Sequence, residues 1–308
     1  MSVFNYVPDE EIQIHRENAI RHMCQAFLSH ENGLPEWVKN STAAYLRDGR
    51  EPSKRVIVLL FAGRQRSAPP SIACLDLVGM SSTQIERDFK HWADPDAALR
   101  EGNRGVRIGE LGGHGNGGKC YMTQMFEEFS YLRTVRNGFG STYGVPGGAV
   151  RFGYVPSPEE GKDRPVSSIP DGIDACLHTM RAGISSLPDD VKAIVPDAQG
   201  FTFVRGAGPR HWEEREASQN LIENLLGHPQ MITALQLCQI YILRDGRPQN
   251  GGRPLALPRI DPMCGYETPK SVVIPETLRD PVSRHNVSTT QRSEFPIGCA
   301  DRRVNVRT

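Results

Sequence analysis

No stretch of the 308-residue chain approaches the ~18 to 20 unbroken apolar residues that a membrane helix needs. The longest apolar runs, 56–62 and 71–80, are strand-sized. Aromatic residues make up only 7%, which argues against a stacking platform for nucleic-acid bases. There is no excess of either charge: 36 Lys+Arg balance 36 Asp+Glu, so no dominant polyanion-binding surface is expected. No C-x-x-C occurs among the seven scattered cysteines, which excludes a zinc knuckle or a redox pair of that type. Free thiols in a reducing cytoplasm are the plain reading. Asp9, Glu10 and Glu11 sit where a secretory signal would need an apolar core, so no such signal is expected.

Glycine and proline, by contrast, are plentiful (30 and 23), and loops should be many. Hydrophobic residues reach 38%, lean but enough for a core. Helical spacing of Ile14, Ala19, Ile20, Met23, Ala26 and Phe27 predicts a helix over 10–30. Gly33-Leu-Pro35 should break it, with Pro35 opening a second helix over 36–46. Residues 55–62 and 71–77 read as two adjacent strands in a hairpin. Ser81 or Ser82 is a natural N-cap for a helix reaching Trp92. Helical spacing returns over 120–136, strands are expected at 148–155 and 200–204, and a helix near 173–187 lies between them. A third region begins near Gly206, with a helix around 215–226 and an apolar run at 235–243.

Three features carry chemistry. Glu36 and Asn40 are four residues apart on the second expected helix, which puts a carboxylate and a carboxamide on one face. Such a carboxylate can activate water, and an amide oxygen suits a hard cation such as Mg2+. Asp76 ends an apolar strand, where an acid can accept from an exocyclic amine such as that of adenine. Gly79 lets a base approach the backbone. Finally, 109–119 holds six glycines in eleven residues and ends in Lys119 at the start of an expected helix. Bare backbone amides, a helix N-terminus and a lysine together make a phosphate cradle.

In this order, helix with Glu and Asn, strand with Asp, glycine lid and helix, the chain resembles the GHKL (Bergerat-fold) ATPases, and most of all their MORC-type and heat-shock-chaperone-like members. Glu36-Trp-Val-Lys-Asn40 resembles the first motif of that family, Asp76 with Gly79 and Met80 the second, and Gly112-Gly-His-Gly115-Asn116-Gly117-Gly118-Lys119 the lid. Thr202 matches a late strand threonine near adenine. The resemblance implies that Glu36 positions the hydrolytic water, Asn40 binds Mg2+, Asp76, Gly79, Met80 and Thr202 line the adenine site, and Gly112, Gly115, Asn116, Gly117, Gly118 and Lys119 hold phosphate. In one respect the chain departs: Asp76 to Gly79 is one residue shorter than the usual D-x-G-x-G, and the inner glycine is missing.

The expectation is therefore an α/β two-layer sandwich of Bergerat type. Its sheet is mixed and mostly antiparallel, with helices on one face, in an ATP-binding domain over 1–206. A transducer-like α/β region, incomplete, is expected over 207–308. The implied activity is Mg2+-dependent ATP binding and slow hydrolysis that drives lid closure and homodimerisation, without a membrane and with no client identifiable. A nucleotide-gated interaction module without turnover is the alternative. A P-loop reading of 113–119 is weaker, because Cys120 stands where a Mg2+-binding Ser or Thr is required.

Overall fold

Residues 56–62 show no alternation of polar and apolar side chains, and the computed structural model explains it: this strand is buried on both faces. The structure describes residues 15–66, 68–94, 116–212 and 217–257, and beyond them three short strands. It divides into a unit of residues Met1–Leu257 and a smaller one of Pro258–Thr308. In the smaller unit β12 (Arg303–Arg307) pairs antiparallel with β11 (Arg292–Pro296) and parallel with β10 (Val272–Val273).

The larger unit opens with α1 (Arg16–Met23), a 3-10 turn (Cys24–Phe27) and α2 (His30–Arg47). The strands β1 (Val56–Ala62) and β2 (Ser71–Asp76) follow, then α3 (Ser82–Lys90), α4 (Gly117–Gln124), β3 (Phe126–Arg136), β4 (Phe139–Pro146), β5 (Gly153–Tyr154) and β6 (Arg164–Pro165). The remainder is α5 (Ile169–His178), α6 (Asp189–Ile194), β7 (Gly200–Pro209), α7 (Ala217–Leu226), α8 (Pro229–Leu237), β8 (Gln239–Arg244) and β9 (Arg247–Pro248). Among the described residues nine strands form one mixed, mostly antiparallel sheet, ordered β5-β4-β3-β7-β2-β1-β8-β9, with β6 beside β4. The β1–β8 pair is parallel.

Successive side chains of a strand point to opposite faces. Ile57, Leu59 and Phe61 pack with Trp37 and Val38 of α2, Leu221 of α7 and Met231 of α8. Val56, Val58 and Leu60 pack instead with Ile173 and Leu177 of α5 and Val191 of α6. The expectation of helices on one face alone is thus corrected: α5 and α6 cover the second face.

Several boundaries also move. Gly33-Leu-Pro35 does not break the chain into two helices; all three lie within α2, which Ser29 caps by accepting from Asn32 N at 3.2 Å. Gly33 is there for space, since a Cβ on it would stand 1.9 Å from the Tyr121 ring. Residues 126–136 are strand and not helix, turning into β4 through Asn137 and Gly138, both at positive φ (53° and 78°). The expected division at 206/207 falls inside β7, where Ala207 pairs with both Ser71 and Phe129. Residues 207–257 complete the first sheet through β8 and form no separate transducer region. Among the described residues no helix is long and apolar enough to cross a membrane.

Cys24 and Cys120 form a disulfide across a sequence separation of 96, which corrects the reading of uniformly free thiols. Cys74, Cys176 and Cys238 are free and buried. A cross-link over so long a loop contributes about 2 to 4 kcal/mol. Cys24→Ser is expected to melt roughly 5 to 15 °C below the wild type, a difference that a dithiol reductant abolishes. Calorimetry with and without dithiothreitol checks this; identical melting of all four samples would show that the bridge contributes nothing.

Candidate functional site

The middle of α2 presents Glu36 and, one turn on, Asn40 toward the start of α4. Burial of Leu34, Trp37 and Val38 fixes the rotation of the helix. Glu36 is a buried carboxylate, 7% exposed, with both oxygens engaged. Lys39 Nζ donates to Oε2 at 2.5 Å, and Gln230 Nε2, from α8, donates to Oε1 at 2.5 Å.

The N-terminus of α4 abuts this face. A Cβ added at Gly117 would lie 2.2 Å from Glu36 Oε2, and one at Gly118 would lie 2.9 Å from Asn40 Nδ2. Only bare backbone can approach this closely, so these two glycines are required by packing. Asn116 provides no side-chain cap to α4 among the described residues. Its carboxamide oxygen accepts from Ala93 N at 3.1 Å instead. The start of α4, the positive end of its dipole, thus lies against Glu36 and Asn40, and an anion is favoured at such an end.

Lys119 is not brought to this face. Two residues along a helix are about 200° around it, and Lys119 Nζ reaches the last carbonyls of α3, Asp88 O at 2.9 Å and His91 O at 2.5 Å. It also lies 4.8 Å from the centre of the Trp92 ring. The lysine ties α4 to the end of α3. Gly112 and Gly115 lie outside the described residues.

A second cluster forms at the end of β2. Asp76 is 3% exposed; its Oδ2 accepts from Ser41 Oγ at 2.7 Å and its Oδ1 from Val78 N at 3.1 Å. Burial pushes its carboxyl up to about 6, against the opposing pull of those bonds, the Gly79 amide and the Arg47 charge. Thr202 stands directly opposite Asp76 in the β2–β7 register, and Thr134 opposite Thr202 in the β3–β7 register. The two threonine hydroxyls are 3.3 Å apart. Met80 N donates to Thr134 Oγ1 at 2.6 Å, so Met80 is held at the same spot. Gly79 turns the chain at φ +84°, and Arg136 Nη1 donates to its carbonyl at 3.1 Å.

The structure therefore brings Glu36, Asn40, Gly117 and Gly118 together, and separately Asp76, Gly79, Met80 and Thr202. Ser41 joins the two groups, because it follows Asn40 on α2 and its hydroxyl holds Asp76. Tyr45, one turn further on, donates to Val56 O at 2.5 Å and accepts from Leu77 N at 2.8 Å, pinning α2 to both strands. Sequence reasoning did not single out Ser41, Thr134 or Gln230 as site residues. Ser41 had a signal, being adjacent to Asn40 in the motif; Gln230 lies 194 residues from Glu36 and had none. Among the described residues no group of three or more His, Cys, Asp or Glu side chains could hold a metal ion.

Comparison with family models finds no match for this chain, and comparison with curated proteins finds none either.

Proposed function

We propose that the chain binds Mg-ATP in the manner of the GHKL ATPases and hydrolyses it slowly. What carries the reading is the apposition of Glu36 and Asn40 to the Gly117-Gly118 start of α4, with Ser41 linking that face to the Asp76–Thr202 pair. The order of these groups along α2 is the order a nucleotide requires: water activation, metal, then base.

The α4 amides and the positive end of its dipole favour phosphate. The two glycines there bring bare backbone against Glu36 and Asn40, a carboxamide oxygen suits a hard cation, and on these grounds the residues fit a Mg2+-phosphate group. Asn40 Oδ1 would hold the ion together with phosphate oxygens, and the bound ion neutralises phosphate charge. Asp76 accepts from the adenine amino group; a carboxylate offers about four lone-pair sites, of which Ser41 and the backbone amides leave room for one more. Glu36 takes a proton from the attacking water. Lid closure and homodimerisation belong to the same reading. The P-loop alternative loses further ground, because Cys120 is bonded to Cys24 and has no free sulfur or hydroxyl for a metal.

One observation favours the second reading, an ATP-gated module without turnover. Both Glu36 oxygens already accept hydrogen bonds, and Gly117 leaves no gap beside Oε2.

Calorimetric titration tests ligand and base recognition together. The wild type is expected to bind Mg-ATP and ADP but not GTP. Asp76→Ala should lose roughly 10- to 100-fold in ATP affinity, the effect of leaving a buried donor unpaired. As pH falls through about 6 the Asp76 carboxylate gains a proton and ceases to be acceptor-only, so ATP affinity should fall on the acid side. A wild type that takes up no ATP, or an Asp76→Ala variant with unchanged affinity, rejects the assignment.

A further inference from the structure

We propose that Gln230 is a positioning residue for Glu36, so that α8, far away in sequence, sets the aim of the water-activating carboxylate. The inference rests on the ATPase reading above and deepens it.

The geometry is specific. Pro229 occupies the first turn of α8, where its fixed φ is suited to the helix. His228 Nδ1 caps this same turn by accepting from Gln230 N at 3.3 Å. Met231 and Ala234 anchor α8 in the same core as Leu34, Trp37 and Val38 of α2. The base of Gln230 is thus fixed from both sides, and its side chain is buried along with that of Glu36. A carboxamide donor at 2.5 Å immobilises Glu36 Oε1 and leaves Oε2 directed at Gly117. Oε2 is also the oxygen that takes Lys39. Lys39 comes from a flexible stem on the same helix, three residues away, and can exchange for water or substrate. Gln230 comes from a different, packed helix and cannot. Of the two partners, only Gln230 can hold one rotamer of the carboxylate while the other oxygen works.

The groups facing Glu36 are Lys39 from its own helix, Gln230 from α8 and His228 just before α8, whose titration feels the Glu36 charge. The α4 side presents Gly117 there.

The test is steady-state phosphate release and equilibrium Mg-ATP binding on the full chain. Gln230→Met keeps the length of the side chain and removes the donor. Its kcat is expected to fall about tenfold or more with ATP affinity within twofold of the wild type, a split that a merely structural contact would not produce. Gln230→Glu keeps the shape and puts a second carboxylate against the first. Like charges this close share a proton, so the acid limb of its kcat–pH profile should move to higher pH. This second variant decides the matter if the first fails to fold. Unchanged kcat in Gln230→Met beside an active wild type overturns the proposal alone, as does a raised kcat, which would make Gln230 a restraint. A wild type that binds ATP yet releases no phosphate overturns the ATPase reading and this proposal with it.

Discussion

Glu36→Gln is expected to reduce phosphate release from Mg-ATP by at least about a hundredfold while leaving ATP affinity within a few-fold, because positioned proton transfer contributes about 10²- to 10⁴-fold. The amide keeps the shape of the carboxylate and can still bond Gln230, so α2 and α8 stay docked. What it loses is the ability to take a proton. Its packing against Gly117 places the Glu36 carboxylate at the start of α4, whereas Asp76 bonds Ser41. Phosphate release and calorimetry on the same preparations separate the outcomes. A variant as fast as the wild type places the base elsewhere. If the wild type itself releases no phosphate while ATP alters its oligomeric state, the chain is a nucleotide-gated module and Glu36 serves structure.

Gly79→Ala should lower the melting temperature by roughly 6 to 12 °C, from a loss of about 3 kcal/mol. Two penalties act together. The residue has φ +84°, where an L side chain is strained, and a Cβ would stand 2.0 Å from the Val135 carbonyl oxygen. Backbone on β3 cannot give way without breaking its pairing with β4 and β7. The carbonyl of Gly79 holds Arg136 and the next residue, Met80, donates to Thr134, so the displacement reaches the Asp76–Thr202 pair and ATP affinity should fall with stability. Gly49→Ala is the matched control: it also has positive φ (67°), with nothing within 4 Å of the added Cβ, and should cost only about 1 kcal/mol. Equal melting of Gly79→Ala and the wild type would mean that the β2–α3 turn is not as tight as described.

Much of the site could be read from the sequence because its parts are local. Asp76 sits at the end of an apolar run, Glu36 and Asn40 are one helical turn apart, and glycines precede a helix. The run 56–62 also implies more: seven apolar residues without alternation call for cover on both faces, which α2, α7 and α8 supply on one and α5 and α6 on the other. The β3–β4 hairpin was missed although Asn137-Gly138 marks a two-residue turn needing positive φ at both positions. In β3 the alternation of buried Ser130, Leu132 and Thr134 with Tyr131 and Arg133 is period two, obscured by Phe126, Val135 and the polar residues between them. Other features had no local signature. Pairing of Cys24 with Cys120, of β1 with β8, and of Gln230 with Glu36 all join residues about a hundred or more positions apart. Lys119 shows its partners on α3 only in three dimensions, since Asp88 and His91 lie about thirty positions before it.

The parallel β1–β8 ladder sets the minimum length of chain that can fold. A polypeptide stopped at residue 206 would lack the strand that satisfies one side of β1, leaving Val56–Ala62 as a bare, wholly apolar rim of amides and carbonyls. Such a rim recruits other copies by strand addition. Fragments meant to isolate the larger unit therefore have to run through Arg244, and during synthesis the sheet stays incomplete until that residue has left the ribosome.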